Sequence, residues 1–239
     1  MSQKENCLVI DVETCGSMTN PLVYDLGMAA VERATGRIVE SYSLVISEVF
    51  YGMPELMDTA YYANKLPVYH QGIDAGMWHI VDMWRAWRGI RYLVDKYNIQ
   101  RLYAYNAAFD RNALNNTIRT LTENEYGCFF PKGLQFCDIW HMACTTVCKE
   151  KAYRKFALAN GLVSDAGNYR TSAETVYAFI TDCPGYVEAH TSLEDVRIEA
   201  AILAHILRKK KKLTEKIVHN PWRLAQVDKR ISPNQLQLT

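Results

Sequence analysis

Three short stretches of the chain hold side chains whose types and spacing can do chemistry. The first, "LVIDVETCGS", places Asp11 and Glu13 two residues apart at the end of an apolar run. Alternation along a strand sends both carboxylates to one face and Val12 to the other. Acids so placed repel each other unless a cation lies between them, and hard oxygen ligands suit magnesium or manganese. Taken alone, such a pair is also what two exposed acids at any strand end look like. The second stretch, "AYNAAFDRNAL", puts Asp110 where a strand passes into a helix, four residues after Asn106. Ligands bind at strand ends of this kind in α/β sheets, although an acid in a helix's first turn is favoured by the helix dipole as well. The third, "EAHTSLEDVRIEAAILAHIL", starts a helix at Thr191 or Ser192, and both Thr191 with Glu194 and Ser192 with Asp195 have capping-box spacing. With Thr191 as the cap, Glu194 closes the box and Asp195 is free to point into a cleft. His190 stands just before that helix, and a neutral imidazole near pH 7 can take a proton from water.

These groups need elements to carry them. Residues 6–46 contain the extended runs "NCLVIDVE", "VYDLGMAAVERA" and "GRIVESYSLVI", with turn chemistry at Thr35-Gly36, which predicts a three-stranded antiparallel meander. From Ser47 to about residue 79 the period is lost among Gly, Pro and Tyr, so an irregular insertion is expected, too short for a core of its own. In "MWHIVDMWRAWRGIRYLVDKYN", Ile80, Trp84, Trp87, Ile90, Val94 and Tyr97 recur at helical spacing. That places the tryptophans in a core rather than on a base-stacking platform. A strand "RLYAYN", a helix from about Phe109, a strand "GLQFCD" and a helix around "IWHMACTTVCK", capped by Asp138, follow. Further helices are expected near 151–159, 172–181 and 193–210. The pattern is α/β: a mixed five-stranded sheet, the meander plus two parallel strands, flanked by helices.

Composition sets outer bounds. The chain has 239 residues, 49% hydrophobic and 22% charged, in keeping with a globular protein. No apolar run approaches the roughly 18 residues that span a bilayer, and the N-terminus is polar, so no membrane partner and a cytoplasmic location are expected. Seven scattered cysteines suit free thiols in a reducing compartment. Cys137, His141, Cys144 and Cys148 have a zinc-like look, but their spacing stacks them along one helical face, as buried thiols would be. His70, His79, His205 and His219 have no companion acids in a motif. The net charge of +1 divides unevenly: from Arg208 onward nine Lys and Arg face two acids, leaving −6 on the preceding 207 residues. The "RKKKK" run serves either nucleic-acid contact or the solvated end of a helix.

Together the three stretches resemble the motifs of the DEDDh, or DnaQ-like, family of 3′–5′ exonucleases within the ribonuclease H-like fold. D-x-E falls on Asp11 and Glu13, Asn-x-x-x-Asp on Asn106 and Asp110, and H-x-x-x-x-D on His190 and Asp195. The resemblance covers residues 6 to about 208. It implies a DEDDh exonuclease domain over residues 1–208, with the Tyr- and Trp-rich insertion at about 47–79, and a basic C-terminal tail over 209–239. It also implies a two-metal-ion hydrolysis of phosphodiester bonds at 3′ ends of DNA or RNA that releases nucleoside monophosphates. On that template Asp11 bridges two Mg2+ or Mn2+ ions, Glu13 and Asp195 complete the first ion's shell, and Asp110 holds the second. His190 deprotonates the attacking water. Thr14 and the backbone of Cys15 and Gly16 lie beside the terminal nucleotide, while Asn106 touches substrate or braces the strand end. The implied partner is a single-stranded nucleic acid with a 3′ end, and a homodimer is compatible with the aromatic insertion. The alternative is a catalytically silent nucleic-acid-binding or polymerase-accessory module of the same fold, from which a ligand would be expected to be missing; here all four acids and the histidine are present.

Overall fold

The computed structural model describes residues 5–209 and 212–226. Apolar and β-branched residues make β1 (Asn6–Ser17), β2 (Asn20–Glu32) and β3 (Arg37–Ile46) long strands, paired as the expected antiparallel meander. Gly36 turns the chain between the last two with φ of +75°. A side chain there would be strained, and its Cβ would sit 2.8 Å from the Ala200 carbonyl.

The segment from 47 to 79 is more regular than its sequence suggests. It forms α1 (Ser47–Phe50), α2 (Pro54–Met57) and α3 (Leu66–Asp74), and Pro opens α2 and α3, where a missing N–H goes unneeded. Its aromatic residues build a cluster: Tyr69 meets Tyr24 edge-on at 5.5 Å and stacks on Trp78 at 4.9 Å. Next comes β4 (His79–Val81), parallel to β3, so the sheet has six strands rather than the expected five. Helix α4 (Met83–Tyr97) starts only after Asp82, whose carboxylate accepts the Arg85 N–H at 2.6 Å. The expected apolar face therefore shifts. Met83, Ala86, Ile90 and Leu93 are buried, Ile80 belongs to β4, and Trp84 is 55% exposed, stacked on Trp87 at 4.3 Å. A mostly apolar stretch across the strand-to-helix boundary, interrupted at Asp82, hid the change of period.

The rest alternates: β5 (Arg101–Ala104), α5 (Ala107–Thr122), β6 (Gln135–Asp138), α6 (Ile139–Thr145), α7 (Lys151–Ala159), α8 (Ala173–Ile180) and α9 (Ser192–Lys209). Strand order is β4-β3-β2-β1-β5-β6, with β5 parallel to β1 and β6 parallel to β5. Each face of the sheet carries a core. Leu8, Ile10, Val12 and Met28 pack with Ile90 of α4 and Leu114 of α5. On the opposite face Cys7, Val9, Ala29 and Val31 pack with Cys144 of α6 and Ile202 of α9. Asp11 and Glu13 continue the row of Cys7 and Val9, and so project toward α9.

All seven cysteines are free. Cys137 lies on β6, not on the helix with His141 and Cys144, and Cys137, Cys144 and Cys148 are buried thiols of the second core. Among the described residues no helix is long and apolar enough to cross a membrane. Of the basic tail, Lys209 ends α9 with its ammonium 2.7 Å from Glu150, while Lys210, Lys211 and everything beyond Gln226 lie outside the described residues. Residues 212–226 return to the sheet. Glu215 pairs with Arg33 and Arg101 and accepts from the Tyr103 hydroxyl at 2.9 Å, and its carbonyl accepts the Asp138 N–H at 3.1 Å.

Candidate active site

Asp11 and Glu13 sit at the middle of β1, opposite Gly27 and Asp25 of β2. After Glu13 the register slips by one, leaving Tyr24 without a β1 partner. Such a bulge bends a strand and re-aims its neighbours. Asp110 arrives from β5 through Asn106, which holds φ of +74°, a conformation asparagine tolerates better than most residues. Asp138 fixes this corner: one carboxylate oxygen accepts the N–H groups of Asn106 at 3.1 Å and of Trp140 at 2.9 Å, capping α6 as expected. Asp110 then falls in the first turn of α5.

The start of α9 is pinned differently from the sequence reading. The Thr191 carbonyl accepts the Asp195 N–H at 3.1 Å, but Glu194 turns outward to Arg197 instead of closing a capping box. The Ser192 N–H instead donates to Asp25 at 3.1 Å, and the same carboxylate oxygen accepts the Tyr69 hydroxyl at 2.6 Å. Asp25, fully buried, thus ties β2, α3 and α9 at one point. His190, with φ of +53°, stacks on Tyr62 at 3.9 Å and 14° between ring planes. Its Nδ1 lies 3.8 Å from a Glu188 carboxylate oxygen.

These pieces meet in one cleft of about 400 Å³. Asp11, Glu13, Asp110, His190 and Asp195 line it, together with Thr14, Asn106, Glu188 and Glu199, and Tyr61 and Tyr62 of the insertion form part of the wall. Single ligand atoms of Glu13, His190 and Asp195 all lie within 4.8 Å of one another. Of the residues expected beside a terminal nucleotide, Thr14 and Asn106 line the cleft; the Cys15 side chain is buried in the core, and the Gly16 N–H donates to the Thr59 hydroxyl at 3.0 Å.

Six acidic residues line the cleft, and among the described residues no Lys or Arg does. Burial, then the charge of Glu199, Asp110, Asp195 and Glu13, pushes Asp11 far above the usual carboxylate range. Burial followed by Asp195 drives Glu13 up to about 9, and burial followed by Glu188 drives Asp195 up to about 8. Asp110 is also raised by burial, offset by hydrogen bonding to backbone N–H groups that include Val12. His190 is lowered by burial, which keeps its imidazole neutral near pH 7. Among the described residues no cation in the lining offsets the upward shifts of the acids. One oxygen each of Asp195 and Glu199 is buried with no hydrogen-bond partner. A donor set dominated by carboxylate oxygens, with two of them orphaned, fits hard divalent cations.

Asp25, Tyr62, Glu188 and Glu199 were not among the expected site residues. Asp25 did leave a trace, as a lone acid within "LVYDLGMAA", and Glu199 lies four residues, one helical turn, beyond Asp195.

No protein-family model and no curated protein matches the sequence. Solved structures do match. A 3′-exonuclease studied for 3′-end-specific recognition of a histone mRNA stem-loop superposes with a TM-score of 0.54 at 11% identity, over 92% of this chain and 90% of that one. Exonuclease I of E. coli, in a zinc-bound complex with single-stranded DNA, gives a TM-score of 0.49 at 12% identity over 88% of this chain. This chain spans 42% of that enzyme's length. The nuclease domain of 3′hExo, a DEDDh family member bound to rAMP, gives 0.47 at 15% identity over 90% and 98%. The first match takes in nearly the whole of both chains, so with its mixed sheet and flanking helices this chain has the ribonuclease H-like fold of a 3′-exonuclease, the fold that its three motifs implied.

Proposed function

We propose that the chain is a metal-dependent 3′–5′ exonuclease that hydrolyses the terminal phosphodiester bond of a DNA or RNA strand and releases nucleoside monophosphates. One observation carries the reading. Four carboxylates and a histidine, brought from β1, α5, the start of α9 and the loop before it, line a single cleft.

Asp11, Glu13, Asp110 and Asp195 are the residues that would hold two Mg2+ or Mn2+ ions. Such ions, when bound, stabilise charge on the attacking and departing oxygens of an in-line displacement. His190 accepts the proton of the attacking water. Burial keeps its nitrogen free for that proton, stacking on Tyr62 fixes the ring plane, and Glu188 beside Nδ1 favours the imidazolium once it forms. The water oxygen bonds to phosphorus as the bond to the 3′ oxygen of the preceding nucleotide breaks. Thr14 and Asn106 border the place where the terminal nucleotide lies, and Tyr105, Phe109 and Trp140 supply aromatic surface in the same cleft for a base.

The test is incubation of the purified chain with DNA and RNA oligonucleotides labelled at the 3′ end, with Mg2+ or Mn2+ and then with chelator. Metal-dependent mononucleotide release is expected, and it is nearly abolished by Asp195→Ala in a protein that keeps its fold. Binding of the oligonucleotide without degradation would support the silent binding module instead.

A further inference from the structure

We infer that Glu199 is a fifth carboxylate of the metal site, facing the bound cation from one turn of α9 beyond Asp195. The inference rests on the metal-dependent reading above and concerns a residue outside all three motifs. Residues four apart share a helix face, so Glu199 is carried to the cleft by the same geometry that carries Asp195. It lines that cleft, yet its residue is only 2% exposed. Around it α9 is otherwise a core helix, with Ile198, Ala200, Ile202 and Leu203 buried against the sheet. A carboxylate in such a row is costly unless something compensates it.

The polypeptide supplies only part of that compensation, a hydrogen bond from the Tyr105 backbone N–H to the Glu199 carboxylate. Oε2 of Glu199 is buried and has no hydrogen-bond partner among the described residues. No acceptor among the described residues stands within hydrogen-bond reach of Oε2 that a protonated acid could use from that oxygen. The charged neighbours are all of like sign: Asp110, Asp195 and Glu188 act on Glu199, and Glu199 is the strongest charge acting on Asp11. An orphaned, buried oxygen on a residue that lines the same cleft as Asp11 is what a cation ligand looks like without its cation. With Glu199 the set of acids around the ions rises from four to five. Tighter divalent binding follows, together with a larger penalty to the folded chain when metal is removed.

Calorimetric titration of the full chain with Mn2+ tests this, comparing wild type, Glu199→Gln, Glu199→Asp and Asp195→Asn. Glu199→Gln keeps the size, removes the charge and turns one carboxylate acceptor into an amide donor. It is expected to weaken Mn2+ binding by about 10- to 100-fold, to melt above wild type in chelator, and to gain less from added Mn2+. Glu199→Asp is expected to bind more tightly than Glu199→Gln. Wild-type Mn2+ affinity in Glu199→Gln, with Asp195→Asn weakened, would overturn the role of Glu199 and leave the metal site standing. Wild-type Mn2+ affinity in Glu199→Gln with a loss in Glu199→Asp would reduce Glu199 to a packing residue. Failure of the wild type to bind Mn2+ would overturn both the inference and the reading beneath it.

Discussion

Gly27 decides how closely α9 approaches the sheet, and Gly27→Ala measures what that approach is worth. Gly27 pairs with Asp11 in the β1–β2 ladder and lies directly under the start of α9. A Cβ built there stands 2.4 Å from both the carbonyl carbon and oxygen of Ser192, and 2.6 Å from the Leu193 nitrogen. These are backbone atoms, which cannot rotate aside. Restoring an ordinary contact of about 3.5 Å lifts the start of α9 by about 1 Å. Overpacking of this kind costs about 1–3 kcal/mol. Loss of the 3.1 Å hydrogen bond from Ser192 to Asp25 adds about 1 kcal/mol. At about 2–4 °C per kcal/mol for a chain of this size, the melting temperature falls by roughly 4–16 °C. His190 and Asp195 move with the helix, and misplacement by about 1 Å lowers turnover about 100-fold. Thermal melts followed by circular dichroism give the first quantity, and the 3′-labelled oligonucleotide assay the second. A variant with wild-type melting temperature and rate would show that the close approach does not set the position of Asp195.

The raised acids make stability in chelator depend on pH. Glu13 at about 9 and Asp195 at about 8 keep protons that the unfolded chain releases in the ordinary carboxylate range, so the native state binds more protons between those limits. Stability without metal therefore falls as pH rises from about 5 to about 9, and saturating Mn2+ reverses the fall; a rise with pH in chelator would contradict this. Tyr62→Ala removes the ring stacked on His190, an interaction of about 0.5–1.5 kcal/mol, and is expected to lower kcat by up to roughly tenfold. Tyr62→Phe restores the rate, and equal losses in the two variants would show that the stack is not what matters. Glu215→Ala strips Arg33, Arg101 and Tyr103 of a shared partner and is expected to destabilise by about 1–3 kcal/mol. Limited proteolysis should then cut within 212–226; an unchanged digest and melt would show that other contacts hold the segment.

What the sequence disclosed was what neighbouring residues decide. Alternation fixed the shared face of Asp11 and Glu13, the strand-to-helix step fixed Asp110, and the helix start fixed Asp195, because each depends on a few adjacent positions. Asp138 could be read as a cap for the same reason. The partner of the Ser192 N–H could not, since Asp25 lies 167 residues away and reaches it only through the sheet. The side chain stacked on His190 was equally hidden: Tyr62 belongs to a segment without period, and it reaches His190 across 128 residues of chain, set edge-on against Tyr61 at 4.8 Å. Trp84 misled because β4 and α4 share one mostly apolar stretch, in which Asp82, the cap, was the sole local sign of a boundary.

The return of residues 212–226 alongside β6 bears on how the molecule behaves in crowded solution. β6 is the last strand on its side of the sheet, and such a border invites a neighbouring molecule to add a strand of its own. The Glu215 carbonyl already occupies the Asp138 amide there, so the chain shields its own margin. Versions cut before this segment would lay that margin bare, and clumping on concentration would follow.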